Sequence, residues 1–136
     1  MKTIAVSDAT HEQLTLRKLQ NGQANLDAVI RDLLGWARPS DRLRSAARTL
    51  SRIATRHHVK RLRLFGSGAR GEDLPSSDLD LLVDFAGPHD LLDLAGFQED
   101  LAEALRCRVD ATTQAALHPK LRGAILAEAT EVWRAK

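Results

Sequence analysis

Cysteine is almost absent from this 136-residue chain: Cys107 stands alone. It can form no internal disulfide, which agrees with a reducing compartment. Long apolar runs are missing too. Nothing approaches the ~18 consecutive apolar residues that span a bilayer, and the opening residues Met1 to Gln13 lack the hydrophobic stretch of a signal peptide. The expectation is a cytoplasmic protein with no membrane association. Nor is one sign of charge in excess. The formal net charge is +2, with five Lys/Arg against four Asp/Glu in residues 1–38 and fifteen against fourteen in residues 39–136. Neither part has the basic bias that by itself announces a nucleic-acid binder. There is no internal repeat and no low-complexity segment. What remains, 43% hydrophobic and 28% charged residues, is the balance of a globular protein with one domain, or one small domain and an appendage.

Two parts are legible, with a break near Arg38-Pro39-Ser40 that divides 1–38 from 39–136. The first opens on Thr3-Ile4-Ala5-Val6, a short strand-like alternation. A helix holding Leu14, Leu16 and Leu19 follows, capped by Ser7 or Asp8. After Gly22 and Asn25, Leu26, Val29, Ile30, Leu33, Leu34 and Ala37 recur at helical spacing. A β-α-α piece under 40 residues long cannot bury enough apolar surface alone. It must lie on the second part or pair with a copy of itself.

In the second part, Leu43, Ala46, Ala47, Leu50, Ile53 and Ala54 form one face of a helix entered through Pro39-Ser40-Asp41. Val59 to Phe65 reads as a strand, Gly66 to Ser77 as turn and loop, and Asp78 to Phe85 as a second strand. Leu91 to Leu105 is a helix and Arg108 to Thr113 a third strand. A last helix begins near Pro119, with Leu121, Ile125, Leu126 and Ala129 facing inward. The expected order is α-β-β-α-β-α, a small mixed sheet with helices on one side, in the α+β class.

The chemistry gathers in Leu64-Phe65-Gly66-Ser67-Gly68-Ala69-Arg70-Gly71 and Ser77-Asp78-Leu79-Asp80. Strand residues two apart share a face, roughly 6.5–7 Å apart, so Asp78 and Asp80 aim two carboxylates at one place while Leu79 and Leu81 enter the core. A divalent cation is the usual way to offset such repulsion, and hard oxygen ligands favour Mg²⁺ or Mn²⁺ over zinc. Gly66 lets the backbone turn sharply beside an anion, and Ser67 adds a hydroxyl and an amide. A triphosphate held there would reach two metals on the aspartates, with Asp110 of a later strand as third carboxylate.

These residues resemble the minimal nucleotidyltransferases of the polymerase-β-like superfamily, marked by Gly-Ser, ten intervening residues and Asp-x-Asp; here Gly68 to Ser77 are the ten. Ala69-Arg70-Gly71, Ser77-Asp78, Val109-Asp110, Leu117 to Arg122 and Ile125 to Ala129 match as well, so the likeness spans roughly residues 40–133. It implies that Gly66 and Ser67 hold the triphosphate of ATP, that Asp78 and Asp80 bind metal, and that Asp110 is the third metal-linked carboxylate and base. Position 68, commonly larger in the family, is Gly here. Small members of the family act as antitoxins that adenylylate (AMPylate) a tyrosine of a HEPN-type toxin, which implies such a toxin as partner. The alternative is a non-catalytic antitoxin or DNA-binding repressor in which this domain is only a scaffold. Residues 2–37, with T-I-x-V-S-D-x-T and D-x-V-I-R-D-L-L, resemble the ribbon-helix-helix modules of small antitoxins. That likeness implies a homodimer and operator DNA as a partner. The groove-facing row Thr3, Ala5 and Ser7 carries no charge, so dimerisation alone and DNA reading both stay open.

Outside the motif the expectations are plainer. Arg70 either orients phosphate or braces the loop against Asp73 or Asp84, and Asp84 is structural. His57 and His58 close a helix, while His11, His89 and His118 are surface or capping residues. Cys107 is a small buried residue, and Trp36 and Trp133 pack. The leucines of 91–105 are core, with Leu91, Leu92 and Phe97 able to extend to a partner surface.

Overall fold

The computed structural model describes residues 37–136. The chain divides between Ala37 and Arg38, and the elements below all belong to the unit that begins at Arg38. The ribbon-helix-helix expectation over residues 2–37, with His11 and Trp36, falls outside the described residues save for Ala37.

The first amphipathic stretch is two helices, not one: α1 (Pro39–Ser45) and α2 (Ala47–Arg56). The break is at Ala46 (φ −110°, ψ 36°), whose N–H donates to the Leu43 carbonyl. The Ser45 hydroxyl donates to the carbonyl of Asp41 four residues back, a bond that bends helices. Leu43, Leu50, Ile53 and Ala54 are buried as the periodicity requires, while Ala47, just past the break, is exposed.

Strands β1 (Val59–Phe65) and β2 (Leu79–Phe85) pair antiparallel. Helix α3 (Leu91–Leu105) then carries the chain to β3 (Val109–Thr112), parallel to β2. A capping box starts α3: the Asp93 N–H donates to Asp90 and the Asp90 N–H donates to Asp93, at 2.9 and 2.8 Å. Phe97, Leu101 and Leu105 are buried in the core with Leu62, Leu64, Leu79, Leu81 and Val83. Each such side chain contributes about 1.5–3 kcal/mol of burial. Phe97, expected as possible partner surface, is therefore core, whereas Leu91 and Leu92, on the first turn, are 83% and 81% exposed. On the opposite face of β2, Leu82 is also fully buried, where the turn Gln114–Ala116 approaches the strand.

The chain does not end in a helix. Helix α4 (Pro119–Glu128), capped by the His118 ring accepting from the Lys120 N–H, is followed by β4 (Thr130–Arg134), antiparallel to β1. The sheet order is β3-β2-β1-β4. Ala129 is the extended link between α4 and β4 rather than an inward helical residue. Leu121 is exposed, because α4 meets the sheet at its far end, where Glu128 reaches Gly66. Val132 and Trp133 pack half-buried against the core. Among the described residues no helix is long and apolar enough to cross a membrane.

Candidate active site

Phe65, the last residue of β1, pairs with Asp80, so the chain leaves β1 beside that carboxylate. The tight turn Gly66–Gly68 begins there with Gly66 at φ +71°, and a Cβ on Gly66 would lie 2.5 Å from Asp80 Oδ2. Only glycine combines that backbone with that approach. Ser67 follows, half-buried, its carbonyl accepting from the Glu72 N–H at 2.9 Å. Gly68 is buried, and a Cβ there would stand 3.2 Å from Leu64 Cδ1; the packing of β1 leaves little room for the larger residue.

The far end of the loop is tied down. Buried Asp73 accepts from both the N–H and the hydroxyl of buried Ser40 at 2.9 Å, and Arg38 donates to the Gly71 carbonyl at 3.0 Å. Asp73 thus serves α1 rather than Arg70. Asp84 is structural, paired with Arg61 at 2.7 Å and Arg63 at 3.4 Å.

Asp80 and Asp110 are register partners on the parallel strands β2 and β3. Neighbouring strands are ~4.8 Å apart, and partners at one register position share a face. Asp78 immediately precedes β2, exposed, with its carboxylate on Arg108 Nε at 2.8 Å. Burial holds the Asp80 carboxyl above its ordinary range, and the charges of Asp110, Asp78 and Glu128 push the same way, against Arg70. Among the described residues no three His, Cys, Asp or Glu side chains gather round one point; Asp78 is turned onto Arg108. As a donor set the three aspartates offer carboxylate oxygens only, and their charges already act on one another, which fits a hard divalent cation.

Arg70 pairs with Glu72 at 3.0 Å and with Glu128 at 3.0 and 3.3 Å. Glu128 also accepts from the Gly66 N–H at 2.7 Å. These bonds hold the Glu128 carboxyl below its usual range, the Gly66 amide first among the causes. Sequence reasoning passed over Glu128. It stands in the run Ile125 to Ala129, but 62 residues separate it from Gly66, so only the pairing of β4 on β1 brings the two together. The histidines lie elsewhere: His57 bonds Asp100 at 2.6 Å, and His89 stacks on Phe85.

Carboxylates side by side on parallel strands, facing a glycine turn at the end of a third strand, are the framework of an enzyme that moves phosphoryl or nucleotidyl groups. Comparison with known proteins narrows the class. The family described as "Nucleotidyltransferase domain" matches residues 42–132. A Methanocaldococcus jannaschii protein named "Putative protein adenylyltransferase" is 44% identical over 80 residues, covering 59% of this chain and 86% of the relative. The solved "Structure of putative minimal nucleotidyltransferase" superposes with a TM-score of 0.60 at 40% identity, over 68% of this chain and 95% of that one. A crystal structure of a toxin–antitoxin with AMP-PNP shares the fold at a TM-score of 0.56 and 21% identity, over 65% of this chain and 73% of that one. The chain belongs to the nucleotidyltransferase domain family, among its minimal members.

Proposed function

We propose that this chain moves AMP from ATP to a tyrosine hydroxyl of a separate HEPN-type toxin and is the antitoxin of that pair. The observation that carries the reading is the register of β2 on β3, which sets Asp80 beside Asp110 with Gly66 against Asp80. The name of the Methanocaldococcus jannaschii relative supports AMP as the group moved and a protein as acceptor. The neighbour holding AMP-PNP within a toxin–antitoxin supports ATP and the toxin setting. The HEPN class of the partner follows from the likeness of the Gly66-Ser67 and Asp78-Leu79-Asp80 motifs to minimal antitoxins. This sequence contains no tyrosine, which supports an acceptor supplied by another chain.

In this mechanism Asp78, Asp80 and Asp110 would hold Mg²⁺, two ions in this reading, with Mn²⁺ an acceptable substitute. When bound, Mg²⁺ supplies polarisation of the α-phosphate and neutralisation of the departing pyrophosphate. Gly66 and Ser67 receive the triphosphate through backbone and hydroxyl, and Arg70 offers its oxygens a positive charge. A tyrosine hydroxyl, with its ordinary pKa of about 10, is a weak nucleophile at neutral pH. Asp110, exposed on β3, takes its proton as the phenolic oxygen attacks the α-phosphorus and pyrophosphate leaves. On this reading residues 1–38 would be a ribbon-helix-helix-like segment that pairs two chains into a homodimer, with contact to operator DNA left open, and residues 39–136 would be the catalytic domain.

Incubation with ATP, Mg²⁺ and the cognate toxin should add one or more adenylyl units to the toxin's intact mass, and Asp110→Asn should slow that addition greatly. A toxin neutralised without gaining mass would instead establish the non-catalytic scaffold. Light scattering tests the assembly: a full-length monomer in dilute solution would exclude the paired ribbon.

A further inference from the structure

Two donors that a triphosphate would need, the Gly66 amide and the Arg70 guanidinium, are both engaged by one carboxylate, that of Glu128. We infer that Glu128 is the resident anion of the triphosphate subsite: it holds these donors until nucleotide binds, gives them up to the incoming phosphates, and so sets the affinity for ATP. The inference rests on the nucleotidyltransferase reading of the site.

Its geometry suits exchange better than permanent bracing. The Glu128 side chain is 30% exposed and that of Arg70 47%, so phosphate oxygens can reach the pair from solvent. Arg70 does not depend on Glu128 for a partner, since Glu72 accepts from its Nε at 3.0 Å. The far end of the loop is fixed independently through Asp73 and Ser40, and the turn closes on itself through Ala69 and Arg70 N–H bonds to the Gly66 carbonyl. Losing Glu128 therefore leaves the loop's own supports in place. Charge points the same way. Glu128 is a fourth carboxylate acting on Asp80, besides Asp110 and Asp78, at a place where a polyanion is to bind. A carboxylate is also a fair mimic of a phosphate edge: two oxygens, one charge, planar approach to a guanidinium. It presets the donors' positions while remaining weaker than the multiply charged group that replaces it.

The test is equilibrium binding of Mg²⁺-ATP and of AMP by full-length protein, wild type and Glu128→Gln. The variant keeps the side chain's shape but drops its charge. Removing a competing charge-assisted contact should tighten ATP about tenfold, with little change for AMP, which lacks the β- and γ-phosphates. In an Arg70→Ala background the gain should shrink, a dependence that a merely structural Glu128 would not produce. Glu128→Ala, checked for an unchanged melting temperature, should behave as Glu128→Gln does. ATP binding unchanged or weakened by both variants, with ATP still preferred over AMP, overturns the inference and leaves the enzyme reading intact. Wild type and variants that take ATP no better than AMP overturn both.

Discussion

Replacing Gly66 by alanine would separate backbone strain from site geometry, because the fold supplies its own control. Gly66 and Gly71 have the same φ of +71°, but a Cβ on Gly71 would meet nothing within 4 Å, whereas one on Gly66 would stand 2.5 Å from Asp80 Oδ2. At either position the left-handed backbone costs alanine about 1–2 kcal/mol, partly offset by the ~0.4–1 kcal/mol gained from stiffening the unfolded chain. The net loss is about 1 kcal/mol, or ~4–8 °C in melting temperature for a domain of this size. Gly71→Ala should stop there. In Gly66→Ala the Asp80 carboxylate, the free end of a side chain, must retreat by about 1 Å to restore ordinary contact, and a displacement of that size at reacting groups can cost ~10²-fold in rate. The pair should therefore melt within a few degrees of each other yet differ by about two orders of magnitude in adenylyl transfer. Equal transfer rates in the two variants would refute the argument that Gly66 exists to leave room for Asp80.

Three further outcomes are expected. Asp78→Asn and Asp80→Asn should each abolish transfer in a mass assay. Asp80→Asn should melt no lower than wild type, because a half-buried carboxyl held above its ordinary range by burial and like charges penalises the ionised fold. Asp73→Ala should cost about 3 kcal/mol in urea denaturation, since it strands the buried Ser40 hydroxyl and amide without an acceptor. The Asp100 carboxyl is held below its usual range, chiefly by the hydrogen bond to His57. The stability it contributes is present above the ordinary carboxylate range and is lost as pH falls through its lowered folded value. Urea midpoints of Asp100→Asn and wild type should therefore converge as pH falls into that window; a gap that persists there contradicts the assignment.

How legible the domain was depended on where its information lies. Strand β1 and helix α3 were readable to the residue, because alternation in Val59–Phe65 and a capped 15-residue helix are local signals. The break at Ala46 was not, since it arises from a side-chain bond superimposed on an unbroken apolar periodicity. Strand β4 was missed for another reason. It is a five-residue edge strand whose register against β1 shifts between Leu62 and Arg63, so its burial does not alternate and no strand pattern stands out after the last helix. Of the candidate site, the approach of Gly66 to Asp80 was legible because one stretch of chain encodes it, whereas the turn of Asp78 onto Arg108 was not. The share of Glu128 was not, because it depends on the strand that was missed.

Charge around the glycine turn links these observations to the proposed chemistry. Four carboxylates act there, Asp78, Asp80, Asp110 and Glu128, while the cations in direct contact are Arg70, already shared between Glu72 and Glu128, and Arg108, on Asp78. Such a cluster repels a bare triphosphate. Two ways of relieving that repulsion are open to this fold. Divalent cations can enter with the nucleotide and convert the aspartates from repelling groups into ligands, and Glu128 can withdraw and release Arg70 and the Gly66 amide. On the proposed mechanism the first would set a requirement for metal and the second would tune affinity, so the two should respond differently to ionic strength. Salt screens exposed charges and should narrow the difference in ATP affinity between Glu128→Gln and wild type. It should do nothing to rescue an Asp80→Asn protein, whose defect is the loss of a ligand rather than an excess of charge.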